Sequence, residues 1–166
     1  MKKAREKAVL GWREWLSLPD LGIKDIKAKV DTGARTSSLH AEDLEYFRRG
    51  RKDMVRFIVH PLQRSRKRTI HAEALLLEER SIRSSNGVRE YRPVIETTLD
   101  MAGELWQIEL TLTSRDVMGF RMLLGRQAIR GHAVVDPGRS FVTRRKPKAK
   151  AKPKAKTTPK RPVGKR

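Results

Sequence analysis

The sequence predicts a mainly β domain with one short C-terminal helix and a disordered basic tail, and three observations predict it. Apolar side chains recur at every second position in several short runs, which is the period of a half-buried strand. Clusters of turn-forming residues separate those runs. From residue 144 onward the composition shifts to Lys, Pro and Ala with almost no large apolar side chain, too little to offset the entropy of ordering. At 166 residues the chain holds one domain of about 100 to 150 residues plus an extension.

Taken in order, residues 1–8 read as a flexible basic N-terminus, 9–143 as the folded domain and 144–166 as the tail. Ile26, Ala28 and Val30 alternate in the first clear strand, Val55, Phe57 and Val59 in another, and Trp106, Ile108, Leu110 and Leu112 in a third. Turns are expected at Pro19-Asp20-Leu21-Gly22, Asn86-Gly87, Asp100-Met101-Ala102-Gly103 and Asp136-Pro137-Gly138. The best helical stretch is Gly125 to Arg130, with a second helical turn expected around Ala41–Phe47. Neither is long enough to anchor an α/β layered fold.

The 39 Lys+Arg and 19 Asp+Glu give a net charge of +20, spread unevenly. Residues 144–166 hold twelve of the basic residues and no acid, which leaves 27 cations against 19 acids over residues 1–143. A tail of this kind suits contact with RNA or another polyanion, gained by releasing counterions from phosphates. The absence of cysteine excludes disulfides, thiolate metal sites and cysteine nucleophiles, and fits a reducing, cytoplasmic setting. Gly11, Arg13 and Glu14 interrupt any leader-type apolar run after the basic start. No apolar run approaches the roughly 20 residues of a membrane span, so no membrane contact is expected.

The most informative stretch is Lys24–Val30 running into Asp31-Thr32-Gly33-Ala34, with Thr36, Ser37 and Ser38 close behind. A carboxylate at a strand end, followed by a hydroxyl and a glycine, suits a tight turn whose backbone N–H groups orient the acid. Gly33 permits a close backbone approach, the Thr32 hydroxyl is free to bond across to a matching loop, and Ala34 keeps the approach narrow. Alone, Asp-Thr-Gly is a weak signal, since such clusters mostly make ordinary turns. About ninety residues later comes Phe120-Arg121-Met122-Leu123-Leu124-Gly125-Arg126 followed by Gln127-Ala128-Ile129.

An Asp-Thr-Gly-Ala loop after a strand, then an apolar-apolar-Gly-Arg segment opening a short helix, resembles the two halves of a retropepsin protomer. Gly11-Trp12-Arg13-Glu14-Trp15, the run from Lys27 to Ala41, and Thr111-Leu112-Thr113-Ser114-Arg115-Asp116 extend the resemblance to the bacterial retropepsin-like family over about residues 9–143. That family has long been labelled ATP-dependent zinc protease, and its members often accompany ligases that add glutamate to a ribosomal protein. The resemblance implies a closed barrel and an aspartic endopeptidase without cofactor or metal. Asp31, Thr32 and Gly33 are then the catalytic loop, supported by Ala34, Arg35, Thr36, Ser37, Gly125 and Arg126.

Two aspartates would hold the attacking water and share one proton. With a single Asp-Thr-Gly in the chain, the second carboxylate is expected from Asp31 of a twofold-related copy, a homodimer. Asp116 and Asp136 are the candidates within the chain. A flap over the substrate is expected from His60–Arg68, whose basic side chains would attract an acidic peptide, or from Ser84-Ser85-Asn86-Gly87, a good hairpin turn. Against the zinc label, no His-Glu-x-x-His and no phosphate-binding Gly-rich loop occurs, and His40, His60, His71 and His132 lack ligand spacing.

Two other readings stand beside the peptidase. One is a basic nucleic-acid- or ribosome-associated binding protein, supported by charge but by no RNA-binding signature; Trp12, Trp15 and Trp106 fall in strand-like runs where core packing is the default. The other is a retropepsin-like scaffold that has lost catalysis.

Overall fold

The computed structural model describes residues 6–84, 86–114 and 119–144. Asp116, residues 1–5 and all of the expected tail (144–166) except Arg144 lie outside the described residues. The strands are β1 (Ala8–Leu10), β2 (Arg13–Leu18), β3 (Ile23–Asp31), β4 (Ser37–His40), β5 (Glu42–Arg49) and β6 (Lys52–Val59). They are followed by β7 (Ile70–Arg83), β8 (Arg89–Met101), β9 (Glu104–Thr113), β10 (Met122–Gly125), the helix α1 (Arg126–Ile129) and β11 (Ala133–Val135). The fold is mainly β with one short helix near the C-terminal end, as the alternation predicts. α1 is four residues long, and among the described residues no helix is long and apolar enough to cross a membrane.

Six strands form a ring in the order β2-β3-β10-β4-β9-β8. The ring returns to its start through one residue pair, Ser17 with Asp100, so it is a sheet ring with a single-pair closure, looser than the closed barrel expected. Leu16, Ile26, Leu39, Ile95, Leu110 and Met122 fill its interior, all 1% exposed or less. The inward residues of β3 are those whose alternation marks it as a strand: Ile26, Ala28 and Val30 are buried.

β7, β6 and β5 continue the sheet outward from β8. β5 occupies the stretch where a helical turn is expected around Ala41–Phe47. Its side chains there are mostly half-buried or exposed, so it carries little of the apolar signal of a strand. Pairing of Glu45, Tyr46 and Phe47 with Arg56, Val55 and Met54 of β6 decides the conformation instead.

The crossing that positions the site is made by β10. It runs parallel to β3, with Met122 opposite Ala28 and Gly125 opposite Asp31, and antiparallel to β4, with Leu123 opposite Ser38. β3 and β4 are thus separated by β10, and the chain joining them, residues 32–36, passes across its end. Passage is tight: a Cβ on Gly125 would meet the Thr36 carbonyl carbon at 2.6 Å and its oxygen at 2.7 Å. The Gly125 N–H donates to Ser37 Oγ at 3.0 Å.

A strap of residues 136–144 closes the other side. The Trp12 N–H donates to the Arg139 carbonyl, and the Phe141 N–H to the Arg13 carbonyl, at 2.8 and 2.9 Å. Glu14, fully buried, accepts from the N–H groups of Gly11 (2.7 Å), Val142 (2.9 Å) and Thr143 (3.3 Å) and from the Thr143 hydroxyl (3.0 Å). A buried carboxylate is tolerated only when satisfied in this way.

Two stability changes follow. Gly125→Ala should cost about 1 to 3 kcal/mol, because rigid backbone must shift to admit the methyl group. Glu14→Ala should cost about 2 to 4 kcal/mol by leaving several strap donors unpaired. Urea unfolding monitored by tryptophan fluorescence measures both, and a loss below about 0.5 kcal/mol, the ordinary range of surface substitutions, would contradict the corresponding packing account.

Candidate active site

Asp31 ends β3 where the chain turns over β10. Its Oδ1 accepts from the N–H groups of Gly33 at 2.9 Å and Ala34 at 3.1 Å. The loop therefore aims one carboxylate oxygen into its own turn and leaves Oδ2 as the oxygen these amides do not bind. A Cβ on Gly33 would stand 3.2 Å from Oδ1, so a side chain there would press on the carboxylate. Thr32 and Gly33 are exposed at the crest of the loop, while Asp31 and Ala34 are half-buried.

The residues named as supporting the loop lie together around it. The N–H groups of Arg126 and Gln127 donate to the carbonyls of Ala34 (2.8 Å) and Arg35 (3.2 Å), which docks the start of α1 under the loop. The Arg126 guanidinium reaches back to the Gly33 carbonyl at 2.9 Å. Ser37 receives the Gly125 amide on its hydroxyl, and its carbonyl accepts from Thr111 Oγ1 at 3.1 Å. Thr36 contributes the backbone against which Gly125 packs.

Above the loop lies a cleft of about 1170 Å³, lined by Asp31 and residues 33–38 on one side and by residues 80–84 and Asn86 on the other. The opposing wall is the end of the β7–β8 hairpin. β9 pairs with β8 only from Val94 onward, so Arg89–Pro93 pair with β7 alone and the hairpin projects past the ring as a two-stranded arm. The arm turns at Ser84 to Val88, where the Ser84 N–H donates to the Val88 carbonyl at 2.9 Å and Gly87 adopts φ 81°. A register shift between Leu76 and Glu78 marks a bulge at the root of the arm, a place where a strand bends.

Of the two expected flap stretches, the one at Ser84–Gly87 therefore borders the cleft; Ser85 itself lies outside the described residues. His60–Arg68 lies elsewhere. There Arg66 pairs with Glu42 at the start of β5 and holds the Glu42 carboxyl below the ordinary carboxylate range, chiefly through their hydrogen bond.

The histidines are dispersed. His40 Nε2 is 3.0 Å from the Ser114 carbonyl, His60 Nδ1 is 3.3 Å from both the Arg68 carbonyl and Thr69 Oγ1, and His132 stacks on Trp106 with centroids 4.3 Å apart. His71 is exposed on β7. Among the described residues no three His, Asp or Glu side chains gather in a way that would hold a metal ion. Asp136 serves its own turn, accepting the Gly138 N–H at 2.9 Å, and does not line the cleft.

The structure adds cleft residues that the sequence reading passes over. Arg80, Arg83, Arg92, Gln107 and Glu109 all face it. Arg80 bonds Glu78 at 2.6 Å and Glu109 at 2.9 Å. Burial opposes its charge, but the two carboxylates outweigh that and hold its pKa above the ordinary guanidinium value. No motif marks these residues; the charge alternation of β7 and β8 is that of any exposed hairpin, and only the arm's fold over the loop gives it meaning.

Residues 9–146 match the RimB-like family, described as retropepsin-like aspartic endopeptidase RimB. A protein named "Probable alpha-L-glutamate ligase" from Shewanella pealeana is 47% identical over 135 residues, 81% of this chain and 30% of that protein. One of the same name from Parasynechococcus marenigrum is 50% identical over 131 residues, 79% of this chain and 28% of that protein. The chain thus spans about 30% of the length of the curated relatives it matches. A crystal structure of a protein of unknown function from Legionella pneumophila superposes with a TM-score of 0.69 at 26% identity, covering 84% of this chain and all of that one. With the family match running from the first strand through the strap, the chain belongs to the RimB-like family, whose members are described as retropepsin-like aspartic endopeptidases.

Proposed function

We propose that the protein is an aspartic endopeptidase whose active site forms when two copies bring their Asp31 loops together about a twofold axis. The observation that carries this reading is the Asp31 carboxylate itself, oriented by two backbone amides at the floor of a cleft. The loop crest supports the shared site: Thr32 and Gly33 are exposed, and a symmetric contact through them would place one Asp31 beside the other. Two carboxylates in such contact hold one proton between them.

A water bound by the pair attacks the peptide carbonyl carbon. The ionised carboxylate takes the water's proton, and the protonated one gives its own to the carbonyl oxygen. The tetrahedral diol then collapses as its C–N bond breaks, the proton passing to the departing nitrogen. The arm over the cleft would exclude bulk water from that step.

The cleft's charge favours an acidic substrate. Arg35, Arg80, Arg83 and Arg92 face it against Asp31 and Glu109; Arg80 is held by Glu78 and Glu109 and Arg92 by Glu90, so the exposed Arg35 and Arg83 are the guanidinium groups placed to bind substrate carboxylates through paired hydrogen bonds. That a homologous stretch makes up part of proteins named as glutamate ligases supports a glutamate-rich peptide.

Asp31→Asn should lower kcat at least about 10³-fold with the fold intact, and EDTA should leave the parent rate unchanged. Mass spectrometry of a glutamate-rich peptide library incubated with each protein reads both. Persistence of cleavage in the variant would overturn the assignment of Asp31. A second series addresses specificity. Replacing Arg35 and Arg83, both exposed, with Gln should raise KM for a glutamate-rich peptide about 10-fold per lost charge pair while sparing a neutral one, and equal effects on the two peptides would contradict the acidic-substrate reading.

A further inference from the structure

β7, β6 and β5 lie outside the ring, and β5 ends the sheet with one edge that no described strand pairs. Natural sheets blunt such an edge with a bulge, a lysine or a proline. Here the irregularity is confined to the start of β5, where the register shifts between Glu42 and Glu45 and Asp43 adopts φ 53°. Arg66 and Glu42 pair at that same end. From Glu45 to Arg49 the ladder against β6 is regular, with no proline or lysine. Gly50 and Arg51 form a two-residue turn, so Arg49 and Lys52 are the hydrogen-bonded pair that closes it. In an antiparallel ladder such pairs alternate. Glu45 and Phe47 therefore face their N–H and C=O groups toward β6, and Tyr46 and Arg48 turn theirs toward the open edge.

Side chains on the outer face make this edge complementary to itself. Phe47 stands opposite Met54, and Met54 opposite Leu75, an apolar row that crosses three strands and stops at the edge. Leu75 is 41% exposed, and Phe47 and Met54 are half-buried. The Arg49 and Arg56 guanidinium groups lie 5.4 and 4.4 Å from the Phe47 ring centre, an attraction that keeps the ring against the sheet. On the same face Glu45 lies to one side of Phe47 and Arg49 to the other, an acid and a base at equal spacing from the ring.

We infer that β5 pairs antiparallel with β5 of a second copy about a twofold axis through Phe47, joining two sheets into one. A twofold axis normal to the sheet sets each residue opposite one on the same face. With Phe47 at the axis, Tyr46 of each chain exchanges main-chain hydrogen bonds with Arg48 of the other. The two apolar rows then run on into each other, and Glu45 of each chain faces Arg49 of the other, a favourable cross-strand pair. Centring on Glu45 or on Arg48 would oppose like charges, and centring on Tyr46 would set Phe47 against Glu45 and break the row. The existing pairs of Glu45 with Arg56, Arg48 with Asp53 and Arg49 with Glu73 stay in place: main-chain groups make the contact, and the facing charges select its register. A contact of this size sits at the small end of specific interfaces and is weak. It lies apart from the Asp31 loop and stands independently of the peptidase reading.

The chain has no cysteine, so introduced thiols report this contact alone. Three full-length single variants are compared, Phe47→Cys, Glu45→Cys and Arg49→Cys, with circular dichroism to check that each is folded. Facing residues in this register fall within disulfide reach, whereas Glu45 and its own copy stand about 13 Å apart along the strands. Under mild oxidation Phe47→Cys should crosslink to itself, and Glu45→Cys to Arg49→Cys in a mixture, each at least about 10-fold faster than Glu45→Cys crosslinks to itself. Covalent dimer on a non-reducing gel reads all three rates. The mixed pair retains Phe47, so loss of that ring cannot by itself account for a failure there. Adding Tyr46→Pro, which deletes an edge N–H and spares the bonds to β6, should abolish the advantage. Equal rates in all three reactions would overturn the pairing, and fast crosslinking of Glu45→Cys to itself would refute the register. Suppression of the crosslinks by an excess of polyglutamate peptide would assign the edge to an acidic polypeptide and refute a second copy as its occupant.

Discussion

Because β10 lies between β3 and β4, the segment joining those two strands has to pass over its end, and the distance at which it passes is set by Gly125. Any side chain at that position would strike the Thr36 carbonyl. With hydrogen there, the chain closes onto β10, Ser37 Oγ takes the Gly125 amide, and the start of α1 meets the Ala34 and Arg35 carbonyls. The Asp31 loop is consequently held from below by backbone groups and from the side by Arg126. Such a frame costs no reorganisation when charge develops at the carboxylate, which is what preorganisation of a reacting group requires.

The two sides of the molecule divide the remaining tasks. The β7–β8 arm brings arginines over the Asp31 loop and defines the cleft, while the strap, pinned by the buried Glu14, fixes the opposite wall and carries the chain out at Arg144. The ring closes at one residue pair between β2 and β8, and the strap's bonds to Trp12, Arg13 and Glu14 reinforce the start of β2. Glu14 therefore stabilises the wall that β3 leans on, and through β3 the carboxylate at its end.

Much of this was legible in the sequence wherever local chemistry dictated the outcome. The alternation at Ile26, Ala28 and Val30 marks β3, the apolar-apolar-Gly-Arg segment marks β10 and the start of α1, and Asp31 to Gly33 marks the loop between them. β5 was not legible, because an edge strand with charged side chains on both faces is defined by its partner rather than by its own pattern. Neither was the cleft's arginine wall, which exists only once the arm folds across a long sequence separation. Glu14 gave no signal either: a charged residue between two tryptophans reads as surface, and its four donors come from both ends of the chain.

The central claim is that one catalytic pair is assembled from two chains, and it is tested most directly by mixing. Parent protein equilibrated with rising proportions of Asp31→Asn, at constant total concentration, forms mixed pairs that contain a single Asp31. A shared site predicts that activity follows the square of the parent fraction, about one quarter at an equal mixture; a fall in simple proportion, to about one half, would show that each chain works alone and would contradict the account.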